Sequence, residues 1–372
     1  MIREQENKPF SEDKDGLTGL GWNPALDEAL KLHSQQDATL HPARITGVRK
    51  NHFMVDDGGA ERLTTLTGRF HHRAVSPADL PVAGDWALLD NDRITALLPR
   101  RNILSRGAAG ERHRRAEAAG GVQPIAANLD TVFVICGMDR DYNLRRIERY
   151  ITLVYNCGMN PVVLLNKCDL HQCFHDKVEA VEEIAIGVPV HAVSAAGSVG
   201  LEVLDPYLEQ GKTVALLGSS GVGKTTLVNR LAGRDRYATS AVSDSVGKGV
   251  HTTTTRDLIR LPGGGMIIDN PGIREIAFWD DEDGIDRAFA DIEELAQACR
   301  FADCRHESEP GCGVRAAVES GDLPVKRLES YLKMKRELVY LSERRSKSAD
   351  RLEKERWQWV SLKIKEINKV RR

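Results

Sequence analysis

No apolar run in this 372-residue chain approaches the roughly 20 residues a helix needs to cross a bilayer, which excludes a helical membrane span. Met1 to Gly16 is polar and charged, without the apolar core or cleavage-site pattern of a secretory signal. The expected compartment is therefore the cytoplasm, with no membrane partner. Cysteine is sparse, with seven residues. Four of them (Cys136, Cys157, Cys168 and Cys173) are scattered, as expected of small buried hydrophobes in a reducing compartment. No internal repeat is visible. Net charge is nearly absent, at −2, while 41% hydrophobic and 28% charged residues are ordinary for a globular protein. The length allows two or three domains.

Near-neutrality hides an asymmetry. From Leu323 to Arg372 there are 16 Lys/Arg against 7 Asp/Glu. A basic tail on an otherwise acidic chain suggests a polyanionic partner such as nucleic acid; a solvated helix of mixed charge is the plainer reading.

The texture of the chain changes along its length. Residues 1–40 read as a polar arm with one short helix, opened by an Asn23 cap and Pro24 at the first helical position. Residues 41–105 carry short alternating runs at Arg44–Val48, His52–Val55, Pro81–Leu89 and Arg93–Leu98, separated by turn signals such as Asp56-Asp57-Gly58-Gly59. Such spacing predicts a small β-barrel, either of the oligonucleotide-binding kind or SH3-like. Residues 105–120 are small, glycine-rich and basic, and read as a mobile linker. Residues 120–280 alternate strand and helix patterns, which predicts a mostly parallel sheet. Residues 281–372 turn helical and then basic.

The strongest motif is Gly218-Ser219-Ser220-Gly221-Val222-Gly223-Lys224-Thr225, followed by Thr226. It follows the apolar run Thr213–Leu217 and opens a helical pattern, the strand–loop–helix context that a phosphate loop requires. Its glycines let backbone N–H groups wrap a phosphate chain. Lys224 supplies positive charge at the β/γ-phosphates, a catalytic role, and the Thr225 hydroxyl ligates Mg²⁺. Asn166-Lys167-Cys168-Asp169, after the strand pattern Pro161–Leu165, specifies the base. An Asp carboxylate there accepts both the ring N–H and the exocyclic amine of guanine, a pair of donors adenine lacks. Ser194-Ala195, after the next strand, resembles the backbone clamp on the guanine oxygen. Asp269-Asn270-Pro271-Gly272 is a D-x-x-G pattern, with Asp269 placed to hold Mg²⁺ through water and the Gly272 N–H to sense the γ-phosphate. Between the two lies His251-Thr252-Thr253-Thr254-Thr255, of which one threonine, with Thr254 and Thr255 the candidates, is expected on Mg²⁺. Gly247 and Gly249 would let this switch segment move.

The order of these motifs is permuted. Ordinary GTPases run phosphate loop, switch threonine, D-x-x-G, N-K-x-D and S-A; here the last two come first. One cut and one join convert the usual order into this one, so the sites can still meet. Ile273 follows Gly272, where Ras-like proteins place a water-orienting Gln. A hydrophobe cannot orient water, so intrinsic hydrolysis is expected to be slow or to use a group from elsewhere. His251 is the nearest candidate; a structural or partner contact is its alternative role.

Cys299-x4-Cys304-x-His306-x5-Cys312 places three thiolates and one imidazole within 14 residues. That set suits closed tetrahedral Zn²⁺ with no open position, hence a structural role.

Together these residues resemble the ribosome small-subunit-dependent GTPase A (RsgA) family over about residues 40–372. The likeness includes Pro81-Val82-Ala83-Gly84-Asp85, the nucleotide motifs, the His-Thr-Thr-Thr run, the cysteine–histidine cluster and Glu329-Ser330-Tyr331-Leu332. The resemblance implies a multidomain fold: an OB-fold β-barrel, a central α/β phosphate-loop GTPase domain in circularly permuted order, and a C-terminal zinc-binding α-helical domain. It further implies GTP hydrolysis to GDP in late maturation of the small (30S) ribosomal subunit, contact with its rRNA, and stimulation by that subunit. A monomer is expected. The rival readings are an RNA-binding switch with little turnover and a permuted GTPase for another RNA partner, such as the large subunit or a tRNA.

Overall fold

The computed structural model describes residues 14–34, 40–50, 52–107, 122–233, 256–269, 283–336 and 339. They fall into two compact units: Met1–Ser105 with Pro124–Arg274, and Arg106–Gln123 with Glu275–Arg372.

In the first unit, β1 (His41–Val48), β2 (Phe53–Asp56), β3 (Glu61–Leu66), β4 (Trp86–Asp90) and β5 (Arg93–Leu97) hydrogen-bond in the order β1-β2-β3-β5-β4, and a β1–β4 pairing closes the ring. All contacts are antiparallel except β3–β5. This is a closed five-stranded OB-type barrel, which decides between the two barrels the sequence left open. Alternation along the strands turns Ala43, Ile45, Phe53, Val55, Ala87, Leu89 and Ile94 into one apolar interior. The helix Gly68–Arg73, not anticipated from sequence, adds Phe70 to that core and is capped by Thr67, whose side chain accepts from the Phe70 N–H. Asp56 and Asp57 turn the chain between β2 and β3 by accepting from the Gly58 and Gly59 N–H groups at 2.9 and 3.0 Å.

Beyond the barrel come β6 (Ile103–Gly107) and β7 (Val122–Ala127), which form a separate two-stranded sheet. The first residues of the expected linker, 105–107, therefore belong to β6, and its residues 108–120 lie outside the described ones. Next are β8 (Thr131–Gly137), β9 (Asn160–Asn166), β10 (Val190–Ala192), β11 (Thr213–Gly218), β12 (Arg256–Arg260) and β13 (Met266–Asp269). They lie in the order β10-β9-β8-β11-β13-β12, parallel except for the β12–β13 pair. Every residue of β8 and β11 is buried, as expected of central strands covered on both faces. The helix Leu144–Asn156 follows β8 in the alternating strand and helix pattern. Asn143 caps it by accepting from the Arg146 N–H, and Ile147, Ile151 and Val154 face the core.

Barrel and sheet are continuous, because β1 pairs antiparallel with β12 at Gly47↔Asp257 and Val48↔Arg256. A bidentate Arg49–Asp257 ion pair (2.6 and 3.3 Å) reinforces the seam. The Pro81–Asp85 stretch is a second fastening. Asp85 is fully buried, accepts from the Val82 N–H at 2.8 Å and binds Arg100 through both oxygens at 2.7 and 2.6 Å. Burial pushes its carboxyl pKa up and Arg100 partly offsets this. Beside it Gly84 sits at φ +91°, where a Cβ would lie 2.2 Å from the Ala127 carbonyl oxygen.

The N-terminal arm is less detached than its composition suggests. Lys14–Gly19 and Pro24–Ser34 are both helical, and Asn23 caps the second as predicted, accepting from the Ala25 and Leu26 N–H groups at 3.1 and 3.2 Å. Leu17, Leu20 and Trp22 are buried, and Trp22 meets Trp86 edge to face at 4.8 Å. Arg44, buried beneath them, donates to the Leu20 and Asn128 carbonyls, and burial lowers its pKa to about 10. Residues 1–13 of the arm lie outside the described ones.

The second unit holds the helices Asp283–Ala288, Ala290–Ala296 and Gly313–Ser320 and a further helix at 325–336. Ile285, Phe289, Ile292 and Val314 are fully buried. Arg327 is buried with them, forked onto Asp291 at 3.0 and 2.8 Å and stacked 4.3 Å from the Phe289 ring centre. Most of the basic tail lies outside the described residues.

Gly84→Ala should cost about 3 kcal/mol of stability, since both the positive φ and the 2.2 Å approach oppose a side chain. Urea denaturation checks this; an unchanged midpoint would show that this turn does not clamp the barrel to β7.

Candidate active site and metal centre

The phosphate loop, the N-K-x-D loop, Ser194-Ala195 and Asp269 lie at the carboxyl ends of the parallel strands, where open α/β sheets place their ligands. The phosphate loop leaves β11 at Gly218 and ends at Gly223, the residue before the helix Lys224–Leu231. Gly223 sits at φ +100°, and a Cβ there would lie 2.3 Å from Asn166 Nδ2. Glycine is thus required by the close passage of a second motif as well as by backbone angle. The Lys224 ammonium folds back over the loop, donating to the Gly218 and Ser219 carbonyls at 2.7 and 2.6 Å. Thr225 and Thr226 begin the helix and are partly exposed. Val222 is fully buried, and Ser220 and Gly221 are exposed at the tip.

Asn166 ends β9 and is 2% exposed. Its Nδ2 donates to the Val222 carbonyl at 2.7 Å, and its Oδ1 accepts from the Ala195 N–H at 2.9 Å. One side chain thereby ties the N-K-x-D loop to the phosphate loop and to the S-A loop. Lys167, at φ 67°, donates to the Gly221 carbonyl at 2.7 Å and to Asp139 at 2.7 Å. Cys168 is buried, and its N–H bonds the Val193 carbonyl, so it acts as a spacer. Asp169 follows in the same short 3-10 turn with its side chain exposed. Ser194 is fully buried and accepts from the Gly197 N–H at 2.9 Å, which shapes the turn that presents the Ala195 backbone.

Asp269 closes β13, beside β11. Burial raises its carboxyl pKa, Lys224 opposes the rise, and Asp257, its cross-strand neighbour, adds to it. A half-buried carboxylate facing one ammonium and another carboxylate suits a divalent cation. His251, Thr254, Thr255, Gly272 and Ile273 lie outside the described residues.

Sequence reading missed three contributors. Asp139, in the turn after β8, pairs with Lys167. Arg230, on the phosphate-loop helix, donates to the Ala196 carbonyl at 3.0 Å. Asp257, just past the threonine run, belongs to strand β12. Only Asp139 carried a usable signal, an acidic side chain just past a buried strand next to the phosphate-loop strand.

In the second unit the ligand atoms of Cys299, Cys304, His306 and Cys312 all lie within 4.8 Å of one another. Cys299 Sγ is 3.8 Å from Cys312 Sγ and 3.6 Å from His306 Nδ1, and Cys312 Sγ is 3.4 Å from the same nitrogen. Zinc–ligand bonds of about 2.3 Å to sulfur and about 2.0–2.1 Å to nitrogen give tetrahedral edges of about 3.8 and 3.5 Å. The separations among Cys299, His306 and Cys312 match those edges, and with Cys304 the cluster offers four donors that could hold such an ion.

A strand–phosphate loop–helix at the centre of a parallel sheet, a base-reading loop on the next strand but one, and an acidic strand end on its other side define a phosphate-loop GTPase with permuted connections. The RsgA GTPase family model matches residues 97–279. The small ribosomal subunit biogenesis GTPase RsgA of Syntrophotalea carbinolica is 42% identical over 326 residues, covering 86% of this chain and 89% of that protein. The one from Methanosarcina acetivorans is 45% identical over 355 residues, covering 94% and 92%. The crystal structure of YjeQ from Thermotoga maritima superposes with a TM-score of 0.60 at 27% identity, over 81% of this chain and 99% of that one. YloQ, described as a circularly permuted GTPase, shares the fold with a TM-score of 0.58 at 22% identity, over 82% and 96%. The chain belongs to the RsgA GTPase family and is a GTPase.

Removing metal by chelation, or making Cys304→Ser, should unfold the helices around the cluster, because metal binding and folding are linked in such sites. Circular dichroism reads the outcome; retained helicity would contradict a structural metal.

Proposed function

We propose that this GTPase acts in maturation of the small (30S) ribosomal subunit, contacts its rRNA, and hydrolyses GTP faster when bound to it. The observation that carries the nucleotide part is the bracing of Asn166–Asp169 against the phosphate loop, which sets a base-reading carboxylate beside a phosphate cradle. In this reading Asp169 takes the guanine edge, and the Ser194-Ala195 loop, held by Asn166 through the Ala195 N–H, lies against its oxygen. Gly218–Thr226 wraps the phosphates, with Lys224 opposing the charge that develops on them. Thr225 and Asp269 hold Mg²⁺, joined by a switch threonine, while the Gly272 N–H senses the γ-phosphate. His251 orients the attacking water once the switch is ordered, in place of the side chain Ile273 lacks. The cysteine–histidine cluster holds one Zn²⁺. The chain works as a cytoplasmic monomer, divided into an arm (1–40), barrel (41–105), GTPase domain (120–280) and zinc-binding helical domain (281–372).

The names of the relatives support the small-subunit role. The β1–β12 seam supports the coupling: β12 directly follows the His-Thr-Thr-Thr run, so a partner gripping the barrel acts on a strand bonded to the switch.

The purified protein should bind GDP and GTP in preference to ADP and ATP, and Asp169→Ala should weaken guanine binding about 100-fold by removing two charge-assisted hydrogen bonds. Titration with labelled nucleotides tests this; equal affinity for adenine nucleotides would refute it.

Separated 30S subunits should raise the GTPase rate and 50S subunits should not, with the effect fading as salt competes for phosphate contacts. His251→Ala should lower the stimulated rate and leave GTP affinity nearly intact, the pattern of an interaction made only in the transition state. Fast turnover without any partner would count against the scheme.

A further inference from the structure

We propose that Asp139 is a positioning residue for the guanine pocket, acting through Lys167; this rests on the reading that Asn166–Asp169 holds the base. Asp139 lies in the turn that follows β8, the strand between the phosphate-loop strand β11 and the base-loop strand β9. That turn is stitched to the base loop twice. The Met138 N–H donates to the Asn166 carbonyl at 2.9 Å, and Asp139 Oδ2 accepts from the Lys167 ammonium at 2.7 Å. The turn is itself braced: Asp139 Oδ1 accepts from the Asp141 N–H at 3.0 Å, and Asp141 is paired with Arg146 at 2.6 Å.

Lys167 therefore stands between two acceptors from different parts of the chain, Asp139 after β8 and the Gly221 carbonyl in the phosphate loop. A lysine carries four rotatable bonds, and its ammonium is a point charge without the fixed geometry of a guanidinium. Held at both contacts, its four-carbon stem becomes a fixed apolar rail beside the base-reading loop, suited to the face of a purine. With Asp139 removed, the ammonium keeps one neutral acceptor and the rail is free to swing. The electrostatics agree with the geometry. Burial alone would raise the Asp139 carboxyl, yet the Lys167 ammonium and the Asp141 N–H outweigh it and hold the group below the usual carboxylate range. Asp139 is thus the charged partner that keeps the lysine in place, while Asn166 fixes the loop backbone.

The test is the dissociation rate of fluorescent GDP from the full-length protein, measured by stopped flow for wild type, Asp139→Ala, Asp139→Asn, Lys167→Ala, the Asp139→Ala/Lys167→Ala double variant and Asp169→Ala. Losing a charge-assisted hydrogen bond that is partly open to solvent should speed release about tenfold in Asp139→Ala. Asp139→Asn, which keeps a neutral acceptor, should fall between it and wild type. The double variant should release GDP no faster than Lys167→Ala, because both changes remove one device. A residue that served only folding would instead give effects that add to those of Lys167→Ala. Wild-type release in Asp139→Ala, or additive losses in the double variant, would overturn the proposal. If Asp139→Ala does not fold, wild-type release in Asp139→Asn overturns it equally. A silent Asp169→Ala would be a different failure: it would remove the base pocket itself, and the role of Asp139 with it.

Discussion

One side-chain amide holds this active site together. Asn166 donates to the Val222 carbonyl and accepts from the Ala195 N–H, joining three loops that leave β9, β10 and β11. At 2% exposure it does so away from water, where an unmet amide costs about 1–3 kcal/mol for each group left without a partner. Much of the surrounding sequence serves this contact. Gly223 has no side chain because Asn166 Nδ2 passes where its Cβ would be. Lys167 repeats the tie one residue on, to Gly221, and Ser194 bends the third loop so that the Ala195 N–H faces inward. A site assembled from separate stretches of chain needs such ties, because none of its loops is held in place by its neighbours in sequence alone.

The permutation follows from the same geometry. β11 lies between β8 and β13, and β9 and β10 continue the sheet beyond β8. The positions of the phosphate loop, base loop and acidic strand end depend on that spatial order, not on the order in which the chain visits them. β12 is the last strand of that order, and its outer neighbour is β1 of the barrel. The strand that leaves the switch segment thereby shares backbone hydrogen bonds with the barrel. Arg49 from the barrel neutralises Asp257, which stands directly across from Asp269. The barrel is thus in electrostatic and backbone contact with the end of the sheet that carries Asp269.

What was legible in the sequence was legible for local reasons. The phosphate loop, the N-K-x-D loop and the cysteine–histidine cluster each need particular residue types at fixed short spacings, so each could be read without knowing the fold. The helix at Pro24 announced itself by its Asn23 cap and by proline at its first position. Elements whose stability comes from distant partners stayed hidden. β12, with the sequence Arg-Asp-Leu-Ile-Arg, is a strand because β1 and β13 flank it. β3 is polar along much of its length because only its far end, at Thr64 and Leu66, is buried. The arm residues Leu17, Leu20 and Trp22 read as a polar segment with stray hydrophobes until Trp86 and Arg44 supply the surface they cover. Asp139 was missed because its partner, Lys167, lies 28 residues away, at the end of the neighbouring strand.

The central claim is that a permuted chain builds one undivided guanine-nucleotide site from loops brought together by Asn166. Hydrogen–deuterium exchange with and without GDP measures this directly. Segments covering 166–170, 194–197 and 218–226 should gain protection together on adding GDP, at the same nucleotide concentration, and should not respond to ADP. Protection confined to 218–226, or an equal response to ADP, would mean that the loops do not act as one site and would contradict the account.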